Sequence, residues 1–302
     1  MNTSVDICGI KLKNPVTTAS GTFGFGRELN EFFPIGEIGA ISVKGLTLKK
    51  RAGNVSPRIC ETPSGIMNSV GLQNPGIEVF LKEDLPFLKS VGATVIANIN
   101  GSTIDEYIEL AEITAKSDID LIELNISCPN VKCGGAAFGQ NEEVVAEITR
   151  RVKDVSAKKP LIVKLSPNVT DIRVMALAAE QNGADALSLI NTVMGMKIDL
   201  KTRKPFFENK VAGLSGAAVH PIAVRMVYQV RTVTDLPIIG MGGIMCAEDA
   251  IELMMAGANA IAVGTASLID PYAAYNIKNG IEKYMQENNI SDINQVVNAA
   301  HK

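Results

Sequence analysis

Residues 122–139 read IELNISCPNVKCGGAAFG. An apolar run closes on Asn125, Cys128 follows three residues later, and a proline and a glycine-rich stretch come after it. This is the form of a buried strand that carries a base or nucleophile to its C-terminal end and is then followed by a mobile cover. Cys128 is the candidate for proton chemistry at that end.

Outward from this stretch, apolar runs recur at 16–19, 40–43, 94–97, 121–124, 161–165, 186–190, 237–239 and 260–263, eight in all. Most are continuous rather than alternating, as parallel strands covered on both faces must be. Helical patterns lie between them, at 103–116, 141–155, 171–181, 219–233, 247–256 and 271–286. The first has Ile104, Tyr107, Ile108, Ala111 and Ile113 on one stripe, with Thr103 as N-cap and Glu106 completing a capping box. Strand and helix alternate over the whole length, which predicts an α/β fold, a single (β/α)8 TIM barrel over residues 1–302. Residues 5–12 predict an N-terminal hairpin on the barrel floor, and 125–140 and 191–218 predict long insertions after strand ends. A doubly wound sheet is the alternative, but no GxGxxG opens a helix after the first strand and no linker divides the chain.

Bulk properties exclude several function classes. With 29 basic and 32 acidic residues the net charge is −3, and the longest basic run, Lys49-Lys50-Arg51, reads as a solvated loop. Nucleic-acid binding would need a clustered basic excess. The first residues lack the basic-then-apolar order of a signal peptide, and no segment reaches the roughly 18 apolar residues of a membrane span. A soluble cytoplasmic protein with no nucleic-acid or membrane partner is expected. Cys8, Cys60, Cys128, Cys133 and Cys246 are odd in number and scattered, against a disulfide framework. Cys128 and Cys133 have no second close pair to complete a metal site, so no metal is expected.

The strand ends collect polar residues on one rim: Ser20-Gly21, Lys44-Gly45, Asn98, Asn125, Lys164, Asn191-Thr192, Gly242-Gly243 and Gly264-Thr265. Each alone reads equally well as a strand terminator; the set is more economically a site. GMGGI at 240–244 and VGT at 263–265 follow the seventh and eighth strands, where barrels bind phosphate through bare backbone N–H groups. Lys44 and Lys164 suggest an anionic or electron-rich ligand, or a salt bridge to a neighbouring carboxylate. Asn68, Asn125 and Asn191 offer the donors and acceptors to read a planar ring carrying amides. His220 and His301 are the only histidines, and neither is placed to form a nucleophilic pair with Cys128.

With these residues in view, the sequence resembles the dihydroorotate dehydrogenases, and within them the class 1B catalytic subunits. The resemblance runs from end to end, through TTASGTFGFG (17–26), SVKGLTLKKRAGN (42–54), PSGIMNSVGLQNPG (63–76), NISCPNVK (125–132) and VKLSPNV (163–169). It continues through INTVMG (190–195), GLSG (213–216), GMGGI (240–244) and VGTA (263–266). The resemblance implies FMN at the barrel mouth and oxidation of dihydroorotate to orotate in pyrimidine synthesis. It implies FMN contacts from Ser20, Lys44, Gly45, Asn98, Asn125, Lys164, Ile190, Gly216, Gly242, Gly243, Gly264 and Thr265. Lys44, Asn68, Ser69, Val70, Gly71, Leu72, Asn125, Asn191 and Thr192 would hold the substrate, and Cys128 matches the family's catalytic base. Class 1A members carry their lysine in a KSST-like run, whereas Val43-Lys44-Gly45-Leu46-Thr47 stands here. Class 1B implies an iron-sulfur flavoprotein partner with FAD and a [2Fe–2S] cluster, two copies of each chain, and electrons passed to NAD. A fumarate-dependent class 1A-like enzyme, or another FMN barrel acting on a pyrimidine base, is the alternative. Cys133 has no implied role.

Overall fold

The computed structural model describes residues 1–127, 138–156 and 158–302. Strands β1 (Val5–Ile7) and β2 (Ile10–Leu12) form the expected antiparallel hairpin. Its turn residues, Cys8 and Gly9, both have positive φ, as a tight two-residue hairpin turn requires. The Cys8 thiol donates to the Asp185 carbonyl at 3.1 Å, which ties the hairpin to the barrel floor.

The chain then enters β3 (Val16–Thr18) and β4 (Ile41–Ser42). An excursion through β5 (Ile59–Thr62) and β6 (Gly65–Asn68) follows. Strands β7 (Val95–Ile99), β8 (Leu121–Asn125), β9 (Leu161–Lys164) and β10 (Ala186–Leu189) come next. A second excursion makes β11 (Val193–Met196), β12 (Ile198–Asp199), β13 (Lys204–Pro205) and β14 (Val211–Ser215). Strands β15 (Ile238–Met241) and β16 (Ala260–Val263) complete the set.

Eight strands form one parallel sheet in the order β3-β16-β15-β10-β9-β8-β7-β4. A parallel bridge between Thr17 and Ala40 joins the two ends, so the sheet closes into the (β/α)8 barrel expected from the alternation. All five residues of β7 and of β8 are buried, which is why these strands read as mainly apolar runs without a polar alternation. Burying each large aliphatic side chain stabilises the fold by about 1.5–3 kcal/mol.

The outer helices include Ile104–Ala115, Glu142–Val155, Ile172–Gln181, His220–Arg231, Ala247–Met255 and Ala273–Glu287. Thr103 caps the first, accepting from the Glu106 N–H. The box is not reciprocal, because the Glu106 carboxylate takes the Ser102 N–H at 2.5 Å instead. The expected helix at 271–286 is preceded by a separate short one, Ala266–Ile269. One helical stretch, running through Ile77–Val79, Phe80–Asp84 and Leu85–Ser90, has no counterpart among the sequence expectations.

The expected insertion at 191–218 is not a simple loop. It joins the 59–68 excursion in a four-stranded antiparallel sheet, ordered β11-β14-β6-β5, at the C-terminal end of the barrel. The register pairs Gly213 with Asn68 and Leu214 with Val193. Most of the 125–140 insertion, with Cys128, Cys133 and the greater part of the expected cover, lies outside the described residues.

Candidate active site

The C-terminal ends of the barrel strands open into a cleft of about 1310 Å³, solvent at its mouth included.

One wall is built from amides. Asn98, one residue before the end of β7, lines the cleft, and its Oδ1 accepts from Asn100 Nδ2 at 2.7 Å and from Asn125 Nδ2 at 3.2 Å. Asn125 Oδ1 accepts in turn from Asn191 Nδ2 at 3.4 Å and from Ser127 Oγ at 3.2 Å. The Tyr107 hydroxyl donates to the Asn125 carbonyl at 2.8 Å, which locks the end of β8. Gly45 packs directly behind this wall: a Cβ there would lie 2.5 Å from Asn100 Nδ2 and 3.0 Å from Asn98 Oδ1, so any side chain would displace the wall amides.

The floor of the cleft carries charge. Lys164, at the end of β9 and 4% exposed, lies 3.5 Å from Ser20 Oγ and 3.9 Å from Glu123 Oε2. The two readings of this lysine are therefore both present, since it pairs with a carboxylate and also lines the cleft. Lys44 lines the cleft from the end of β4, with its ammonium facing Gly21. Among the described residues the lining holds these two lysines and no carboxylate, a donor set suited to an anionic ligand.

The far end is made of backbone. Gly242 and Gly243 have φ of +134° and +68°, which L side chains rarely adopt. A Cβ on Gly243 would also lie 2.7 Å from the His220 backbone nitrogen. The glycines thereby let this turn pack against Gly216 and the N-terminus of the helix His220–Arg231, a standard anion site. His220 braces the turn: its Nδ1 donates to the Gly242 carbonyl at 3.0 Å, and Nε2 is 3.1 Å from Glu252 Oε2. Gly264 and Thr265 close this end, with Thr265 Oγ1 donating to Ser215 Oγ at 2.9 Å.

The accessory sheet brings the remaining candidates in. Asn68, Val70, Gly71 and Leu72 line the cleft from one side, and Ile190, Asn191 and Thr192 from the other. Of the described candidates Ser69 alone does not line it. Ser69 is buried behind the wall, where its Oγ accepts from Asn54 at 3.2 Å and Asn209 at 3.3 Å. The strand alternation explains this, since neighbouring residues at the end of β6 face opposite ways. Cys128 lies outside the described residues.

Glu123 is the residue that sequence reasoning missed. It sits in the middle of β8 and is 2% exposed. Its Oε1 accepts from Ser188 Oγ at 2.7 Å, and Oε2 accepts from Asn98 Nδ2 and from Ser42 Oγ at 3.3 Å. The signal was a carboxylate inside an otherwise apolar run, which demands buried partners.

The fold and cleft define an α/β barrel whose C-terminal strand ends bring two lysines, an amide wall and glycine turns into one cleft, a lining suited to an anionic ligand. A family profile described as Dihydroorotate dehydrogenase matches residues 2–285. Similar curated proteins include one from Caldicellulosiruptor bescii, 57% identical over 98% of both chains. Others are from Caldicellulosiruptor saccharolyticus, 56% identical over 98% of both chains, and Lachnoclostridium phytofermentans, 56% identical over 98% of this chain and 99% of that one. Each is named "Dihydroorotate dehydrogenase B (NAD(+)), catalytic subunit". The chain belongs to the dihydroorotate dehydrogenase family.

Proposed function

We propose that this chain, as one FMN-binding barrel domain over residues 1–302, oxidises (S)-dihydroorotate to orotate in pyrimidine biosynthesis. One observation carries the reading: an amide wall, two lysines and a glycine-backed helix N-terminus share a single cleft. The chain's family membership, with relatives named for this activity, supports it.

The residues present fit FMN. The backbone around Gly216, Gly242, Gly243, Gly264 and Thr265 would hold its phosphate, while Ser20, Lys44, Gly45, Asn98, Asn125, Lys164 and Ile190 would hold the ring. FMN, when bound, supplies the acceptor for the hydride that leaves C6 of the substrate. Cys128, as thiolate, takes the proton from C5, so the C5–C6 bond becomes the double bond of orotate. Lys44 balances the substrate carboxylate. Lys164 favours extra negative charge on its side of the cleft. Asn68, Asn125, Asn191 and Thr192 fix the pose of the pyrimidine ring, where orientation supplies several kcal/mol of the barrier, roughly.

The electrons then leave through a second subunit to NAD. The relatives' designation as catalytic subunits supports a partner; the sequence resemblance points to an iron-sulfur flavoprotein with FAD and [2Fe–2S] in a two-plus-two assembly. No helix among the described residues is long and apolar enough to cross a membrane, in keeping with a cytoplasmic site of action.

The deciding experiment is the visible spectrum of the purified chain before and after anaerobic dihydroorotate. An FMN spectrum that bleaches on addition is expected. A colourless protein that takes up no FMN sinks the proposal. Reduction of an artificial acceptor but not of NAD by the isolated chain is expected, and efficient NAD reduction by this polypeptide alone would refute the partner claim.

A further inference from the structure

The amides of the cleft wall all point one way. Asn191 Nδ2 donates to Asn125 Oδ1 at 3.4 Å, Asn125 Nδ2 donates to Asn98 Oδ1 at 3.2 Å, and Asn98 Nδ2 donates to Glu123 Oε2. The direction is pinned at one end by backbone donors, Ser127 N–H to Asn125 Oδ1 at 3.3 Å and Thr192 N–H to Asn191 Oδ1 at 2.7 Å, and it needs a fixed acceptor at the other. An ionised carboxylate can only accept, and Glu123 meets donors on both oxygens: Ser188 on one, and Asn98, Ser42 and the Lys164 ammonium on the other.

We propose that Glu123 is a positioning residue that supplies the fixed acceptor at the far end of this amide relay, and so holds Asn98 in the orientation that presents its Oδ1 to Asn125 and Asn100. This rests on the reading of the cleft as the FMN and orotate site. Glu123 does not line the cleft; it acts through Asn98, which does. Its burial at 2% gives it no water to exchange for these partners, so the constraint is permanent.

The neighbouring groups separate direction from packing. Ser188 donates to the other oxygen of Glu123 and leaves the relay untouched if removed. A glutamine at 123 keeps the shape but can present its NH2 as well as its oxygen to Asn98, so the fixed acceptor for Asn98 is lost while the Ser127 and Thr192 N–H groups still hold Asn125 and Asn191. A leucine removes the anchor and leaves the Asn98 NH2 without an acceptor there.

The test is orotate binding to FMN-loaded protein, read from the perturbation of the flavin's visible absorption, with thermal unfolding as a check on the fold. Glu123→Gln should weaken orotate about three- to tenfold and Glu123→Leu by about tenfold or more, while Ser188→Ala stays within twofold of the wild type. The same order should appear in KM, with the flavin still bound in the Gln variant. Orotate affinity within twofold of wild type in Glu123→Gln overturns the inference, and that near-isosteric variant is decisive even if the Leu variant does not fold. A wild-type protein that binds FMN but shows no response to orotate breaks the functional reading instead, and removes the premise with it.

Discussion

At the floor of the barrel, Asp120, Asp185 and Asn259 each stand one residue before a strand, and each accepts the N–H that opens the neighbouring strand: Val95, Leu161 and Ile238, at 2.7, 2.7 and 2.9 Å. A cation from an outer helix completes each cluster, with Lys89 at 2.6 Å from Asp120, Lys153 at 2.5 Å from Asp185 and Arg231 at 3.0 Å from Asn259. At the mouth, Lys44, Lys164, the asparagines and the glycine turns converge on open space instead. Polar groups at the floor are satisfied by the fold itself and work for stability. Those at the mouth bond to one another as well, but they also line one cleft at the C-terminal strand ends, which is where a barrel places a binding site.

The sharpest division comes from Cys128→Ala at the mouth. Loss of the proton acceptor should slow dihydroorotate-dependent flavin reduction by about 10²–10⁴-fold while FMN stays bound. Unchanged reduction in stopped-flow mixing would remove Cys128 from the mechanism. Next in size, Lys164→Met would strand the Glu123 carboxylate, whose side chain is 3% exposed, without its countercharge. Removing one partner of a buried pair costs about 3–5 kcal/mol, so urea unfolding should show a loss of that order together with weakened FMN binding. Full stability would mean that Ser42, Ser188 and Asn98 alone hold the carboxylate. At the floor, Asp185→Ala should cost about 1–3 kcal/mol, because the Leu161 N–H and Lys153 both lose their acceptor. Turnover should stay within twofold; a tenfold loss would show that the two ends are not separable.

The barrel was legible because its strands are buried on both faces and so read as continuous apolar runs, down to Leu121–Asn125 and Ala260–Val263. The accessory sheet was not. Its strands β5, β6 and β11 mix exposed or half-buried positions with few buried ones, and β6 pairs with β14 across nearly half the chain, so neither periodicity nor proximity marks it. The rim residues were legible as strand ends. Ser69 stands off the cleft lining because the residues of a strand alternate, which motif contiguity ignores. Glu123 went unread because nothing local reveals which four groups meet it; Ser42, Asn98, Lys164 and Ser188 come from four different strand ends or interiors. The 77–90 segment had its cue in Ile77, Phe80, Leu85 and Leu88, all buried on one side.

The smallest expected effect tests whether the floor is as self-contained as its hydrogen bonds suggest. Cys8 in the hairpin turn donates its S–H to the Asp185 carbonyl. Burial, then the carboxylates of Asp185 and Asp6, push its thiol up from 9.0 to about 12, against a weaker opposing pull from Lys153. Below pH 9 the thiol is protonated in both the folded and unfolded chain and contributes fully. Between pH 9 and 12 the unfolded chain releases this proton while the folded chain keeps it, so stability drains away as the pH rises through that window. Cys8→Ser keeps a hydroxyl donor for the same carbonyl but does not titrate there. Urea midpoints measured at pH 8 and again near the middle of the window should therefore fall further for wild type than for the serine variant, since all other titrating groups are common to both. Equal slopes would mean that the hairpin has opened in solution and that Cys8 meets water, which would make this edge of the floor the one place where it resembles the mouth.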